Sequence, residues 1–203
     1  MVVVRFADDF VVGFEHRRDA RRFLADLRER FAKFGLELHA EKTRLIEFGR
    51  FAADRRRMGG QGKPETFEFL GFTHICAATR DGRFKLARIT SKKRMRAKLR
   101  EVKTELRRRR HLPIPEQGRW LASVVRGHLA YYAVPDNALT VRALRARVIW
   151  RWRKALRHRS QRTNLTWKRR FRLANRWLPF ARIMHPRPTV RFDARTQGRS
   201  PVR

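Results

Sequence analysis

The chain has 203 residues, of which 52 are Lys or Arg and 18 are Asp or Glu, so its formal net charge is +34 at pH 7. A charge this large is unlike an ordinary enzyme surface and predicts a polyanionic partner. The single cysteine, Cys76, excludes an internal disulfide, and the seven histidines lack the Cys/His spacing of a zinc site. The sequence has no long apolar run and no visible signal peptide, so we expect a reducing cytoplasm and no membrane partner.

The positive charge is concentrated toward the C-terminus. Residues 1–50 carry a formal net charge of +2, residues 51–118 carry +12 and residues 119–203 carry +20. Most of the basic residues are Arg, whose planar guanidinium suits bidentate contact with phosphate and stacking on bases. A GC-rich genome also favours Arg over Lys, so the net charge is the stronger signal. The C-terminal part is therefore predicted to contact nucleic acid.

Two adjacent carboxylates lie between two apolar runs near the N-terminus. Val2–Phe6 and Phe10–Val12 read as antiparallel strands with Asp8 and Asp9 at the tip. Carboxylate oxygens in this position suit Mg²⁺ beside the phosphates of a nucleotide. Asp also favours turns, because its side chain hydrogen-bonds nearby backbone, so a purely structural turn is the alternative.

The following segment predicts alternating helix and strand. Apolar residues at helical spacing predict an amphipathic helix over residues 17–34 that buries one face, with Gly35 as its cap. A strand is expected near Arg44 to Phe48. Phe67 to Phe72 is expected to form a strand that ends in a tight turn.

Residues 53–66 have no apolar period and predict a flexible basic loop. Asp81-Gly82 then predicts a hairpin whose strands cover Thr73 to Ala77 and Arg83 to Ile89. A helix is expected from Ser91 to about Arg110. Its apolar face comprises Met95, Leu99, Val102 and Leu106, and nearly everything else on it is basic.

The remaining third of the chain is predicted to be helical. Leu112-Pro113-Ile114-Pro115 reads as a helix stop and rigid linker. Pro135-Asp136-Asn137 is expected to end one helix and cap the next, and a last helix is expected near Leu165 to Leu178. Two buried stripes are predicted: Trp120, Leu121, Val124, Val125, His128, Leu129 and Tyr132, and then Val141, Leu144, Val148, Trp152 and Leu156. On its apolar face, His128 is expected to be a satisfied core histidine.

Four elements occur in the order and at the spacing of the second half of a reverse-transcriptase palm. They are Phe6-Ala7-Asp8-Asp9, the helix after it, the Glu41-Lys42-Thr43 strand and Phe67-Glu68-Phe69-Leu70-Gly71-Phe72. Together they resemble the palm of bacterial group II intron-encoded proteins. The resemblance implies that Asp8 and Asp9 bind the catalytic metal and that Lys42 lies near the phosphates or the leaving pyrophosphate.

In the same family the turn at Leu70 and Gly71 positions the primer end. Two alternatives remain open: Lys42 as a solvated charge at a strand end, and Gly71 as a residue that the turn alone requires.

The C-terminal part resembles the group II intron maturase-specific domain, also called domain X. The resemblance lies in four segments: Arg126 to Asn137, Arg157 to Arg162, Trp177-Leu178-Pro179 and Ile183-Met184-His185-Pro186. It implies a thumb-like domain that clamps structured intron RNA and, in full-length relatives, the template-primer duplex. The RNA-binding candidates are Arg107, Arg108, Arg109, Arg110, Arg126, Arg157, Arg159, Gln161 and Arg162.

Ala133 and Asp136 stand where the family leads us to expect glycine. The departure affects only local turn geometry, since Asp tolerates positive φ better than most residues.

The expected fold class is α+β. A partial reverse-transcriptase palm, with antiparallel β-hairpins packed on a helix, is assigned to residues 1–90. A basic thumb-type helix is assigned to residues 91–112, and an all-α X domain with an extended C-terminal tail to residues 113–203.

Two functions remain open. The chain is either a maturase or reverse-transcriptase fragment that binds group II intron RNA and assists splicing, or the catalytic half of a split RNA-directed DNA polymerase. The second needs a separate partner that supplies fingers and the first catalytic carboxylate, and Mg²⁺ binds only when that partner completes the palm. Because the chain begins after the corresponding strand, we expect it to be inactive alone. A truncated copy, a split-gene product and a partial gene model are all compatible with this, in a bacterial cytoplasm.

Overall fold

Helices and two small antiparallel sheets make up the computed structural model, which describes residues 1–159 and 166–187. Within those residues the elements in chain order are β1 (Val2–Phe6), β2 (Asp9–Gly13), α1 (Arg17–Ala32), α2 (Ala52–Met58), β3 (Phe67–Phe69), β4 (Phe72–Ala78), β5 (Phe84–Thr90), α3 (Lys92–Arg108), α4 (Ile114–Tyr132), α5 (Ala138–Arg157) and α6 (Trp167–Trp177). The expected α+β class is thus confirmed. The chain divides into a first unit, residues 1–69 and 75–85, and a second unit, residues 70–74 and the described residues from 86 onward.

The N-terminal hairpin forms as predicted. β1 pairs antiparallel with β2, so that Val4 lies opposite Val11 and Phe6 lies opposite Asp9. Ala7 turns the chain with a φ of 51°. Within the described residues this sheet has only these two strands, and every residue of β1 is exposed.

The predicted C-terminal cap of α1 is confirmed, whereas its predicted burial is not. Gly35 adopts a φ of +65°, while its N–H donates to Ala32 O and that of Leu36 donates to Phe31 O, which is the glycine-dependent cap expected here. No residue of α1 is fully buried, so the expectation of a buried face is wrong. Few residues pack against this helix. Phe23 contacts the ring of Phe14, with centroids 5.3 Å apart, and the apolar side chains of α1 remain partly exposed.

The expected strand at residues 44–48 is absent. A strand needs a backbone partner as well as suitable side chains, and this segment pairs with no strand in the described part of the chain. Side chains hold it instead. Arg44 Nη2 lies 2.9 Å from Glu65 Oε1, and the rings of Phe48 and Phe67 meet edge to face at 5.0 Å.

The expected flexible loop at residues 53–66 is wrong for its first part, because α2 occupies Ala52–Met58. Ala, Arg and Met all have high helix propensity, and Asp54 in the first turn complements the helix dipole. Arg57 also pairs with Asp54 at 2.8 Å. A short, solvent-exposed helix can therefore form in a charged segment that has no apolar periodicity. Residues 59–66 are not helical or extended.

The turn after β3 and the hairpin that follows are confirmed. Leu70 and Gly71 both have positive φ, 50° and 77°, as a tight two-residue hairpin turn requires. β4 and β5 then flank Asp81-Gly82, where Gly82 has a φ of +74°. Thr79 N–H donates to Arg83 O at 2.8 Å and closes this second turn.

The helices α3 to α6 enclose the core of the second unit. The predicted apolar face of α3 is fully buried, and so is the predicted stripe of α5. In α4 the stripe divides, since Leu121, Val125 and Leu129 are buried whereas Trp120 is only partly covered. α6 spans fewer residues than predicted, and Leu165 lies outside the described residues.

Two buried amides fix the connections between these helices. Gln117 Nε2 donates to the carbonyls of Arg109 and Leu112, and Gln117 Oε1 accepts the indole N–H of Trp152 at 2.9 Å. Asn137 Nδ2 donates to Thr90 Oγ1 and Tyr132 O, and Asn137 Oδ1 accepts Thr90 N–H. The linkers are therefore closed by side chains, not by secondary structure alone.

Candidate nucleic-acid interface

The carboxylates of the N-terminal hairpin are open to solvent. Asp8 lies in the turn and Asp9 is the first residue of β2. Both are exposed, and neither has an ion-pair or hydrogen-bond partner among the described side chains. Their oxygens suit Mg²⁺ by type. In the part of the chain that the structure describes, no group of three or more His, Cys, Asp or Glu side chains gathers to hold a metal.

Lys42 lies in a turn, not at the end of a strand. Its N–H and that of Thr43 both donate to His39 O. The side chain is exposed and makes no ion pair with a described residue, so the structure does not join it to Asp8 or Asp9.

The turn at Leu70 and Gly71 is tightly held within the second unit. Tyr131 Oη donates to Leu70 O at 2.8 Å, and Ser91 N–H donates to Gly71 O at 2.9 Å. Phe72 follows the turn and lies against two rings, with centroids 5.6 Å from Tyr131 and 5.1 Å from Tyr132. The start of α3 and the end of α4 thus both anchor this turn, which gives it one defined position.

One face of α3 carries a row of cations that have no partner in the described residues. Members recur three and four residues apart, which puts them on one helix face, next to the face that buries Met95, Leu99 and Val102. We call this set the α3 basic row: Lys93, Arg96, Arg100, Lys103 and Arg107. All five are exposed, and none makes an ion pair or hydrogen bond with a described side chain.

The four arginines at residues 107–110 make different contacts. Arg107 belongs to the α3 basic row. Arg108 Nη1 lies 3.0 Å and Arg109 Nε 3.4 Å from the carboxylate of Glu105, and Arg109 also lies over the Trp120 ring at 5.0 Å. Arg110 is half-buried. The four arginines therefore differ in their surroundings, because Glu105 on the preceding turn already engages two of them, and RNA contact by all four stays a prediction.

The other predicted RNA ligands are only partly placed. Arg126 on α4 and Arg157 at the end of α5 are exposed. Arg159 is exposed as well, but its Nη1 donates to Leu112 O at 3.1 Å, so it also fixes a linker. Gln161 and Arg162 lie outside the described residues.

A second exposed face lies on α5, and among its members only Arg157 was predicted from the sequence. Four exposed side chains on α5 recur at helical spacing: Arg142, Trp150, Lys154 and Arg157. We call them the α5 face. Trp150 is 52% exposed, and Lys154 Nζ lies 5.5 Å from its ring centroid. The sequence contains a signal for this face, since α5 has seven basic residues and no acidic one.

An open pocket of about 350 Å³ borders this face. Its walls come from α5, from α6 and from the segment after α6: Arg142, Arg145, Ala146, Ile149, Phe171, Phe180 and Ala181. Burial lowers the pKa of Arg145 from its usual value. Its guanidinium lies 4.9 Å from the ring centroid of Phe180.

His128 is buried as predicted, but it is not satisfied. Its ring stacks on Tyr132 with centroids 4.4 Å apart, and its Nε2 has no hydrogen-bond partner within the described structure. Burial, with a smaller contribution from the nearby Lys98 charge, lowers the pKa of His128 to about 4. The ring is therefore neutral at pH 7 and acts as an apolar packing element.

Comparison with known proteins gives one match. Residues 1–74 match the family model described as reverse transcriptase (RNA-dependent DNA polymerase). The matched segment runs from the carboxylate hairpin to the turn at Leu70 and Gly71 and into β4. No curated protein and no solved structure matches the chain. Among the described residues, no helix is both long enough and apolar enough to cross a bilayer.

Proposed function

We propose that this chain acts as a maturase related to reverse transcriptases, which binds structured group II intron RNA and assists splicing. The similarity of residues 1–74 to reverse transcriptases supports the enzyme family, and the X-domain resemblance supports the intron RNA. The α3 basic row is the observation that carries the RNA-binding part, because five exposed cations with no acidic partner in the described part of the chain lie on one helix and favour an anionic ligand.

Binding in this proposal has two components. The α3 basic row contacts phosphates and releases their counterions, which supplies affinity without regard to sequence. The α5 face adds Trp150 and a second set of cations, and such a mixture of ring and charge suits folded or unpaired RNA better than a uniform duplex. Because both faces belong to rigid helices with buried cores, they select RNA of a matching shape. Selection by shape is how the chain stabilises the active fold of an intron.

A charge-matched pair of triple variants tests the RNA-binding part. K93Q/R96Q/R100Q removes three unpaired cations of the α3 basic row. R22Q/R57Q/R83Q removes three exposed cations that already pair with Asp26, Asp54 and Asp81. Both variants lower the net charge equally, so any difference reflects location.

We expect the row variant to weaken binding to a structured intron RNA more than the control, and to reduce the slope of log K against log salt by about 2–3. Titrations at several salt concentrations measure both quantities. Equal losses and equal slopes for the two variants would contradict the assignment, since the chain would then behave as a generic polycation.

Specificity for the intron needs a second comparison. Replacing Arg157, Arg159 and Arg162 together should weaken binding to the cognate intron more than to an unrelated duplex of equal length. The control replaces Arg195, Arg199 and Arg203, which should weaken both RNAs about equally. Indistinguishable losses from the two variants on both RNAs would remove the maturase part of the proposal and leave RNA binding alone.

A second candidate function is supported by the exposure of the N-terminal hairpin. Val2 and Phe6 on β1 are 67% and 62% exposed, and β1 pairs with β2 alone in the described chain. An apolar strand with an open edge favours pairing with another strand. In this candidate, a separate reverse-transcriptase half supplies that strand and a further carboxylate, and Asp8 and Asp9 complete a site for Mg²⁺. The metal would supply electrostatic stabilisation of phosphoryl transfer.

Primer extension on an RNA template in Mg²⁺ distinguishes the two candidates. We expect no templated synthesis by the chain alone, because two adjacent carboxylates do not hold two metal ions about 4 Å apart without further ligands. Synthesis that appears only with a partner polypeptide and disappears in D8N/D9N would favour the split polymerase. Robust synthesis by the chain alone would contradict both forms of the proposal.

A further inference from the structure

The pocket between α5 and α6 is lined by both apolar and cationic side chains. Its volume of about 350 Å³ lies just above the lower limit of about 300 Å³ for pockets that bind small ligands. Ala146, Ile149 and Ala181 give it apolar walls, whereas Arg142 and Arg145 add two guanidinium groups. The pocket thus offers apolar surface and positive charge at the same place.

Two aromatic side chains of this pocket are open to solvent. Phe171 is 50% exposed and Phe180 is 66% exposed, whereas Trp152 in the core is only 2% exposed. The Arg145 guanidinium lies over the Phe180 ring at 4.9 Å, and the exposed remainder of this ring is apolar surface on which a flat group can stack. Every nucleobase presents a flat face that stacks on such rings, largely without regard to its identity.

Hydrogen bonds fix the guanidinium of Arg145 through Nε and Nη2 but leave Nη1 able to bind a ligand. Its Nε donates to Pro179 O at 2.9 Å, and its Nη2 donates to Asn175 Oδ1 at 3.1 Å and Leu178 O at 3.4 Å. A guanidinium has five N–H donors. Within the described residues the two on Nη1 have no acceptor, and Arg142 has no partner at all. The pocket therefore holds one fixed and one adaptable cation with unused donors.

We propose that this pocket binds a single unpaired nucleotide of the bound RNA, with its base against Phe180 and Phe171 and its phosphate at Arg142 and Arg145. The inference rests on the proposed RNA-binding function and specifies which part of the RNA this site takes. A duplex keeps its bases inside the helix stack, so it cannot place one in a pocket. A bulged or looped nucleotide exposes both the flat base and the flanking phosphate that these side chains complement.

Affinity for two RNA probes tests the proposal. One probe is a ten-nucleotide single strand and the other is a blunt duplex of the same length. F180A should weaken binding of the single strand at least about fivefold, and R142Q should weaken it to a smaller but measurable extent. Both variants should leave duplex affinity within about twofold. The matched controls are F34A, at an equally exposed phenylalanine of the first unit, and R83Q, at an exposed arginine that pairs with Asp81.

Photo-crosslinking gives a readout that does not depend on affinity. A single 5-iodouridine in the single-stranded probe should crosslink to Phe180 or Phe171, as located by mass spectrometry, and an excess of unlabelled single strand should suppress the product. A crosslink confined to other residues would overturn the proposal. Should F180A fail to fold by circular dichroism, R142Q and the crosslink still decide the question.

The remaining outcomes separate this inference from the function on which it rests. Tight duplex binding by the wild type without any effect of F180A or R142Q on the single strand would overturn the nucleotide site and leave RNA binding intact. Equal losses on both probes would overturn it too, because the arginines would then contact only phosphates. Failure of the wild type to bind either probe would overturn the proposed function itself. Loss of self-association in F180A, with unchanged single-strand affinity, would identify a protein contact and overturn the nucleotide site.

Discussion

Gly71 and Tyr132 approach each other so closely that a Cβ on Gly71 would lie 2.6 Å from Tyr132 Oη. Gly71 also has a φ of +77°, which L side chains rarely adopt. Two separate constraints therefore require glycine in the turn that the family resemblance links to primer positioning. The structural explanation of Gly71 accounts for its presence, and any role at a primer end would come in addition.

The two constraints at Gly71 are separable by mutation. G71A should lower the free energy of unfolding by about 2–4 kcal/mol, from backbone strain and from overpacking against Tyr132. In a Y132F background the nearest ring atom would be 3.5 Å away, an ordinary contact. The cost of G71A should then fall to the strain alone, about 1–2 kcal/mol. Urea unfolding of the four proteins in this cycle measures the coupling, and a coupling near zero would show that the clash is relieved in another way.

Gly118 and Gly127 predict opposite effects of the same substitution in one helix. A Cβ on Gly118 would lie 2.6 Å from ring atoms of Trp177, whereas a Cβ on Gly127 would meet nothing within 4 Å. G118A should destabilise the chain by about 1–3 kcal/mol through overpacking of α4 against α6. G127A should stabilise it by about 0.5–1 kcal/mol, because alanine loses less backbone entropy in a helix.

Thermal unfolding measured side by side checks this pair, and G127A serves as the control for helix propensity. A stabilising G118A would mean that Trp177 moves aside at little cost, which would weaken the case for tight packing between α4 and α6.

Substitution of Asn137 should lower the free energy of unfolding by more than the loss of a small side chain alone would. It is fully buried, and three hydrogen bonds join it to Thr90 and Tyr132. N137A leaves the Thr90 N–H and the Tyr132 carbonyl without this partner, so we expect a loss of about 2–4 kcal/mol in the free energy of unfolding. N137D keeps an acceptor for Thr90 N–H but buries a charge, and it should also destabilise. A loss below about 0.5 kcal/mol for N137A would show that water replaces the amide.

His128 predicts a defined loss of stability in mild acid. Its pKa is about 4 in the folded chain and 6.5 when exposed, so between these values the unfolded chain binds more protons. Stability from this group is complete above pH 6.5 and declines as the pH falls toward 4. Between pH 7.5 and 5.0 the decline should be about 2 kcal/mol.

The matched control for His128 is H128F, which keeps a ring against Tyr132 and removes the titrating group. Urea unfolding at pH 7.5 and 5.0 should show a smaller decline for H128F than for the wild type. Identical declines would assign the acid sensitivity to other groups.

Sequence patterns predicted the structure correctly where helical spacing or turn conformation alone decides it. The apolar residues Met95, Leu99 and Val102 are spaced as one helix face, and all three are buried. The glycines Gly35 and Gly82 occupy positions of positive φ that their turns require, and Asp136, standing where glycine is expected, also has a positive φ of 72°. These features depend on neighbours within a few residues, so the sequence contains enough information to predict them.

Errors arose where a backbone or charge partner lay far along the chain. The segment at residues 44–48 has strand-forming side chains but no strand beside it, so it is held by Arg44 and Glu65 instead. His128 lies on an apolar face as expected, but whether its Nε2 finds a partner depends on which groups surround it.

Local sequence patterns predict the α+β class, the carboxylate hairpin, the helical faces and the concentration of positive charge near the C-terminus, because charge and periodicity are properties of a single segment. Three features follow only from the packing of distant segments. They are which cations lack a partner among the described residues, how Tyr131 anchors the turn at Gly71, and the shared pocket of Arg142 and Phe180, which are 38 positions apart. Such pairings depend on how helices pack, and packing is the joint result of many weak contacts between residues that no local pattern relates.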